Sequence, residues 1–329
     1  MATASRLPES HRVLQLESTE QPPQVKTVPT PQPGPGSAFV QPMVPGCTAI
    51  GRVPAAGPDA TTLAPGKLVL LECTIRGRDN GSAVMLSGIV QDFNDASAKL
   101  MHGEWRNSTY AQYCKFPLEN CIPLNETRLL GDPSAGGLGY RVEDLMHIFR
   151  LLVPYGGFDD IGLKPGEAII VAPATGPVQQ CSRASCASYG CCTVKITGDM
   201  EADAAALRTW GLADAFFDIS PPMAAGSTHF RSGIAVLRNG GRISLMGGLP
   251  SDVSFAYEDF MVRGLSMKGT WMYTREQIDD FLRLVESGLL SLSKRGGLRV
   301  GATFGLEQWR EAFEAAKVAQ TDETVAILP

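Results

Sequence analysis

From Glu167 onward, short apolar runs of strand length alternate with runs at helical spacing. The strand-like runs are AIIVA (168–172), TVKI (193–196), AFFDI (215–219), RISLM (242–246) and LSMKG (265–269). Between them stand the helix-like runs EADAAALRTW (201–210), THFRSGIAVLRN (228–239) and REQIDDFLRLVES (275–287). Strand and helix in alternation feed a parallel sheet with helices on both faces, because each crossover must carry the chain back to the same edge before the next strand. A helix over LEQWREAFEAAKVA and a last strand over TVAIL close the chain.

The part before this alternation reads differently. Residues 1–125 are rich in Pro and Gly and poor in helical periodicity. Segments such as SAFVQPMV, TAIGRV and KLVLLECTI predict short strands, with PQPGPG and AGPDATTLAPG as turns. A barrel-like β-domain is expected there. A helix then follows in VEDLMHIFRLLV, where Val142, Leu145, Met146, Phe149, Leu152 and Val153 recur on one face.

Length and charge narrow the function classes. At 329 residues, 44% apolar and 19% charged, the chain has the composition of a globular protein with room for two cores. A net charge of -5 and a longest basic cluster of only Lys294-Arg295 argue against a nucleic-acid partner. The N-terminal stretch MATASRLPESHRVLQLE has no apolar signal core, and no apolar run nears the roughly 20 residues of a membrane span. The expectation is a cytoplasmic protein that binds no membrane. Its eight cysteines then read as reduced thiols rather than a disulfide framework.

The ordered set PTPQPGPG, VPGCTAIGRV, GPDATTLAPGKLV, LKPGEAIIVAPATG and RNGGRISLMGG resembles the medium-chain dehydrogenase/reductase superfamily. Its fungal alcohol-dehydrogenase-like members, some of them in secondary-metabolite gene clusters, are the most similar. The resemblance implies an α/β chain: a GroES-like β-barrel domain over 1–140, to which 300–329 returns, and a Rossmann doubly wound parallel sheet over 141–299. It also implies a small-molecule substrate, a cleft active site, and a homodimer or homotetramer. Two segments of the family pattern are missing here. One falls between GSAFV and QPMVPGC, the other between PATGPV and VKITGD, where the cysteine-rich stretch Gln179–Thr193 stands instead of a strand-helix unit.

A catalytic zinc needs three converging ligands. Against the family's Gly-His-Glu triplet this chain has Gly46-Cys47-Thr48, the first ligand falls in the missing stretch, and the third position falls near Ile148. No zinc is therefore expected. Cys181, Cys186, Cys191 and Cys192 lack the paired spacing of a structural zinc site.

A dinucleotide needs a tight turn after the first strand, a close backbone approach and an acid for the ribose about 20 residues on. Ala174, Thr175, Gly176, Pro177 and Val178 are expected to make the turn, although Gln179 stands where a close-packing glycine is usual. Spacing alone gives a βαβ unit with its second strand at 193–197 and Asp199 as the ribose acid, which would favour NAD over NADP. The family comparison instead aligns this strand with the third, and then Asp199 is a helix N-cap. Ser220, Gly247 and Gly248 fall at the ends of later strands and complete the expected cofactor crevice. NAD or NADP is the expected cofactor.

Without zinc, reduction needs a positioned proton donor. Tyr155, at the domain junction, is the candidate, with a packed hinge aromatic as its other reading. Tyr110 reads as a core aromatic, and His102 and His229 have no sequence neighbour that marks them as bases. Two functions stand side by side. One is a zinc-independent NAD(P)-linked oxidoreductase acting on an alcohol, carbonyl or enoyl compound, in the setting of fungal secondary metabolism. The other is a catalytically impaired or cofactor-independent remnant of the same fold, or a chain from a gene model with misassigned exons.

Overall fold

The computed structural model describes residues 7–16, 21–32, 35, 37–42, 47–89, 94–105, 107–174, 192–320 and 322–329. The chain divides into two units, 1–147 with 299–329, and 148–298.

The first unit is built on antiparallel β-structure. Strands β1 (Ser10–Gln15) and β2 (Gln24–Pro29) pair with each other. A five-stranded sheet follows, made of β3 (Ser37–Pro42), β4 (Ala49–Ala56), β5 (Leu68–Leu71), β8 (Cys114–Pro117) and β9 (Cys121–Pro123), in the order β8-β3-β4-β5-β9. The short strands β6 (Thr74–Arg76) and β7 (Val84–Leu86) form a separate ladder. Val53, Val69, Leu71, Ile75, Met85 and Phe116 make its core. Val53, Val69 and Ile75 are β-branched and Phe116 is aromatic, residue types that suit a pleated, half-buried surface.

The returning segment adds β14 (Arg299–Gly305) and β15 (Glu323–Leu328), paired in parallel. The helix between them, Trp309–Val318, closes a second small core of Leu306, Ala312 and Ile327 against Leu14, Val25 and Tyr110. Tyr110 is thus a core aromatic, edge-on to Phe313.

The second unit holds a four-stranded parallel sheet: β10 (Ile169–Ala172), β11 (Ala213–Asp218), β12 (Leu237–Leu245) and β13 (Ser266–Gly269) in simple sequential order. Every residue of β11 is buried, as a strand covered on both faces must be. Phe216, Ile243, Phe230, Ile234 and Leu237 fill one side. On the helix Arg275–Ser287, the buried residues Ile278, Phe281, Leu282 and Val285 recur every three or four positions. Thr274 and Gln277 cap its start reciprocally, and Gly288 ends it at a positive φ of 83°.

Two expectations change. Residues 192–197 form no strand, so the βαβ unit drawn from spacing is not made there. Within the described sheet β10 pairs only with β11, on one side. The helix expected through Asn239 stops at Ala235. The reason is that Ala213 donates its N–H to the Val236 carbonyl at 3.0 Å and pairs with Leu237, which draws the next residues into the sheet. The helices Asp95–His102 and Tyr257–Arg263 were not legible in advance.

Candidate functional site

The carboxyl ends of the three adjacent strands β10, β11 and β12 are laced by backbone hydrogen bonds. The Ile219 N–H donates to the Ala172 carbonyl at 3.0 Å, Met246 to Asp218 at 2.8 Å and Gly248 to Ser220 at 2.8 Å. Ser220, Gly247 and Gly248 are therefore brought together at one end of the sheet. Ala174 lies in the turn just beyond β10. Thr175, Gly176, Pro177 and Val178 lie outside the described residues, as do Gln179, Cys181, Cys186 and Cys191.

The side chains under these loops form a cluster that the sequence did not reveal. Ser220 Oγ donates to Asp218 Oδ1 at 2.6 Å and lies 2.7 Å from His229 Nε2, which is itself 3.1 Å from Asp218 Oδ1. All three residues are under 5% exposed. With the serine hydroxyl donating to Asp218, the His229 tautomer that carries its hydrogen on Nε2 would donate to the serine and aspartate oxygens. In that tautomer the serine is not activated, since its proton would have to go to the imidazole. The cluster is a buried polar clamp that fixes the loop after β11. His229 has two partners after all, and the sequence could not show them because Asp218 ends a strand eleven residues away and Ser220 lies nine residues away in the loop after it.

Gly247 fits against this clamp. A Cβ there would lie 2.6 Å from the Ser220 nitrogen, 2.8 Å from its oxygen and 2.9 Å from Asp218 Oδ2. The missing side chain lets two loops touch. At Gly248 a Cβ would meet nothing within 4 Å, so this backbone faces open space.

Asp199 is the N-cap of the helix Met200–Arg208: its carboxylate accepts from the N–H groups of Glu201 at 2.9 Å and Ala202 at 3.1 Å. The neighbouring Asp203 is buried and accepts from the Thr228 hydroxyl at 2.6 Å and from the Thr197 N–H and hydroxyl, both at 2.7 Å. Those bonds, Thr228 foremost, hold its carboxyl below the ordinary carboxylate range.

Tyr155 lies on the helix His147–Asp160, half-buried, with its ring edge-on to Phe281 at 5.4 Å. Burial first, and Asp159 second, push its hydroxyl above the usual phenol value. The next two residues are close-approach glycines. At Gly157 a Cβ would fall 2.5 Å from both Met246 Sδ and the Phe217 ring, so the helix sits directly on the sheet.

The described residues fit part of a dinucleotide site. The loop ends at Ser220 and Gly248 stand where open parallel sheets take ligands. The ribose acid is not supplied by a strand at 193–197, and the crevice of a doubly wound sheet lies where strand order reverses, which the sequential order of β10 to β13 does not do. Among the described residues no three His, Cys, Asp or Glu side chains are grouped to hold a metal ion. No helix among them is long and apolar enough to cross a membrane.

An antiparallel β-unit of GroES-like kind joined to a Rossmann-type parallel sheet defines the class of this protein. Residues 26–126 match the family described as alcohol dehydrogenase GroES-like domain. Over that stretch the chain is similar to the GroES-like domains of alcohol dehydrogenases. An L-threonine 3-dehydrogenase of Klebsiella pneumoniae subsp. pneumoniae is 30% identical over 112 residues, 33% of this chain and 31% of that protein. The match thus spans about a third of the curated relative.

Two solved structures share the fold over nearly the whole chain. A thermostable alcohol dehydrogenase from Pyrobaculum aerophilum superposes with a TM-score of 0.68 at 16% identity, covering 97% of this chain and 100% of that one. A short chain alcohol dehydrogenase from E. coli CFT073, solved with the cofactor NADH, gives 0.72 at 12% identity, covering 98% and 100%. At such identities the likeness is one of fold.

Proposed function

We propose that this protein is a zinc-independent NAD(P)-linked oxidoreductase acting on a small alcohol, carbonyl or enoyl compound. The observation that carries the reading is the meeting of Ser220, Gly247 and Gly248 at the carboxyl ends of adjacent parallel strands. Ligands of open α/β sheets bind at that end. The family match over 26–126 and the dehydrogenases among its relatives support the same reaction class.

When bound, the nicotinamide would supply or accept the hydride. The chain's own part is to hold and orient. The Asp218–Ser220–His229 clamp fixes one loop, Gly247 lets the next loop close on it, and Gly248 leaves backbone open to a ligand. Tyr155 is proposed as the proton donor: a phenol is protonated at neutral pH, as a donor to developing negative charge must be, and burial with Asp159 moves it further in that direction. The reading as zinc-independent rests on the ligand positions, where Cys47 contacts Cys73 and Ile148 occupies the third place.

A second reading has its own support. With Asp199 used as a cap and β10 paired on one side among the described residues, a remnant that has lost the cofactor would look the same in these parts. Turnover separates the two. NADH or NADPH oxidation is followed against a panel of aldehydes, ketones and α,β-unsaturated carbonyls, with and without a chelator. Chelator-resistant turnover is expected. Turnover abolished by the chelator and restored by zinc would overturn the zinc-independent part, and no turnover with any substrate would favour the remnant.

A further inference from the structure

The first unit holds four described thiols that the proposed reaction does not use, and two of them, Cys47 and Cys73, are neighbours in space. Strands β4 and β5 run antiparallel with Ala49 opposite Leu71 and Ile50 opposite Leu70. Cys47 lies two residues before Ala49 and Cys73 two residues after Leu71, so both stand just beyond the same end of this ladder. The connection continues in side chains, since Thr48 Oγ1 donates to the Leu71 carbonyl and the two thiols hydrogen-bond each other. Opposed residues of an antiparallel pair have Cα atoms about 4.5–5.5 Å apart. A disulfide spans Cα separations of about 4.4–6.8 Å.

The two sulfurs differ in a useful way. Cys47 is partly exposed, whereas Cys73 is buried. The hydrogen bond from Cys73 favours the Cys47 thiolate and lowers its pKa, while the same bond and burial carry Cys73 upward. One thiol is therefore accessible to an oxidant, and the other is covered beside it. Cys114, by contrast, is buried and raised by burial alone.

The backbone beside Cys73 is held still. Glu72, buried, accepts from the Thr74 N–H at 2.7 Å and from Asn120 Nδ2 at 2.9 Å, and the same amide reaches the carbonyls of Glu72 and Thr74 at 2.8 and 3.0 Å. The Glu72 charge also disfavours a thiolate on either cysteine. A disulfide would remove that conflict, because it carries no charge.

We propose that Cys47 and Cys73 form a redox-active pair, with Cys47 attacking a hydroperoxide and Cys73 closing the disulfide. In the first step the Cys47 sulfur takes the distal peroxide oxygen, the O–O bond breaks, and Cys47 becomes a sulfenic acid as water or an alcohol leaves. In the second, the Cys73 sulfur attacks the Cys47 sulfur, the S–O bond breaks and water leaves. Two thiols lose two electrons and two protons, and one peroxide is reduced.

The test uses the full chain carrying Cys192→Ser, which removes a described exposed thiol. Reduced protein is treated with hydrogen peroxide, free thiols are alkylated, and peptides are mapped by mass spectrometry. The expected product is a linked pair of the Cys47 and Cys73 peptides, lighter by two hydrogens than the two reduced peptides together, and opened by dithiothreitol. With Cys73→Ser, dimedone should trap Cys47 as its sulfenic acid. Should that variant fail to fold, the mapping of the Cys192→Ser protein decides alone. Cys47 found as free thiol, as sulfinic acid, or linked to any other cysteine, with Cys73 alkylated, overturns the proposal.

Discussion

Ser220 Oγ lies 2.7 Å from His229 Nε2, inside a cluster closed by Asp218. Each polar atom in it replaces water for another, so removing one partner leaves buried groups unpaired. His229→Ala is expected to cost about 1–3 kcal/mol of stability. Ser220→Ala should cost less, because His229 and Asp218 still face each other at 3.1 Å. Urea unfolding of both variants checks the order.

Gly247 and Gly248 should respond differently to alanine. At Gly247 the new carbon would press on backbone atoms of Ser220, which cannot rotate away. A loss of about 1–3 kcal/mol is expected for Gly247→Ala, as for other overpacked sites. Gly248→Ala meets open space and should unfold near the wild-type midpoint. If Gly248 lies against a bound nucleotide, its cost appears instead as weaker NADH binding.

Asp199→Ala removes an N-cap and should cost about 1 kcal/mol, while Asp199→Asn keeps the acceptor and recovers most of it. NADH affinity should be unchanged in Asp199→Asn. A large loss of affinity in that variant, at normal stability, would assign the carboxylate to the ribose.

Asp203 carries a pH signature. Its folded-state pKa is depressed below the ordinary 3.8 by the Thr228 and Thr197 bonds, so its stabilisation is complete above that value and is lost as pH falls through the folded pKa. Stability should therefore decline on acidification below about pH 4. Asp203→Asn should flatten that part of the profile, measured by chemical unfolding across pH.

Tyr155→Phe keeps the ring on Phe281 and removes only the hydroxyl. If the phenol donates the proton, turnover should fall by about 10²-fold or more with nucleotide affinity unchanged. Unchanged turnover would leave Tyr155 a packing residue.

The alternation of apolar runs made the sheet of the second unit legible, because strands buried on both faces must be continuously apolar, as β11 is. The helix Arg275–Ser287 could be read to the residue, since its capping box and its Gly288 are local signals. What misled was TVKI: its three strand-forming residues, Thr193, Val194 and Ile196, remain outside the sheet where no described strand offers them a ladder partner. The ends of the helix after Thr228 were set by pairing between Ala213 and Leu237, which no local window contains. The site was legible as glycines and a serine at strand ends. The clamp beneath them joins residues 218, 220 and 229 through a tertiary fold, and nothing in the spacing announced it.

The most direct measurement is a fluorescence titration of the purified, folded protein with NADH and with NADPH. Saturable binding of at least one of them is expected. No saturable signal up to millimolar nucleotide, from protein whose circular dichroism shows it folded, would contradict the proposed function.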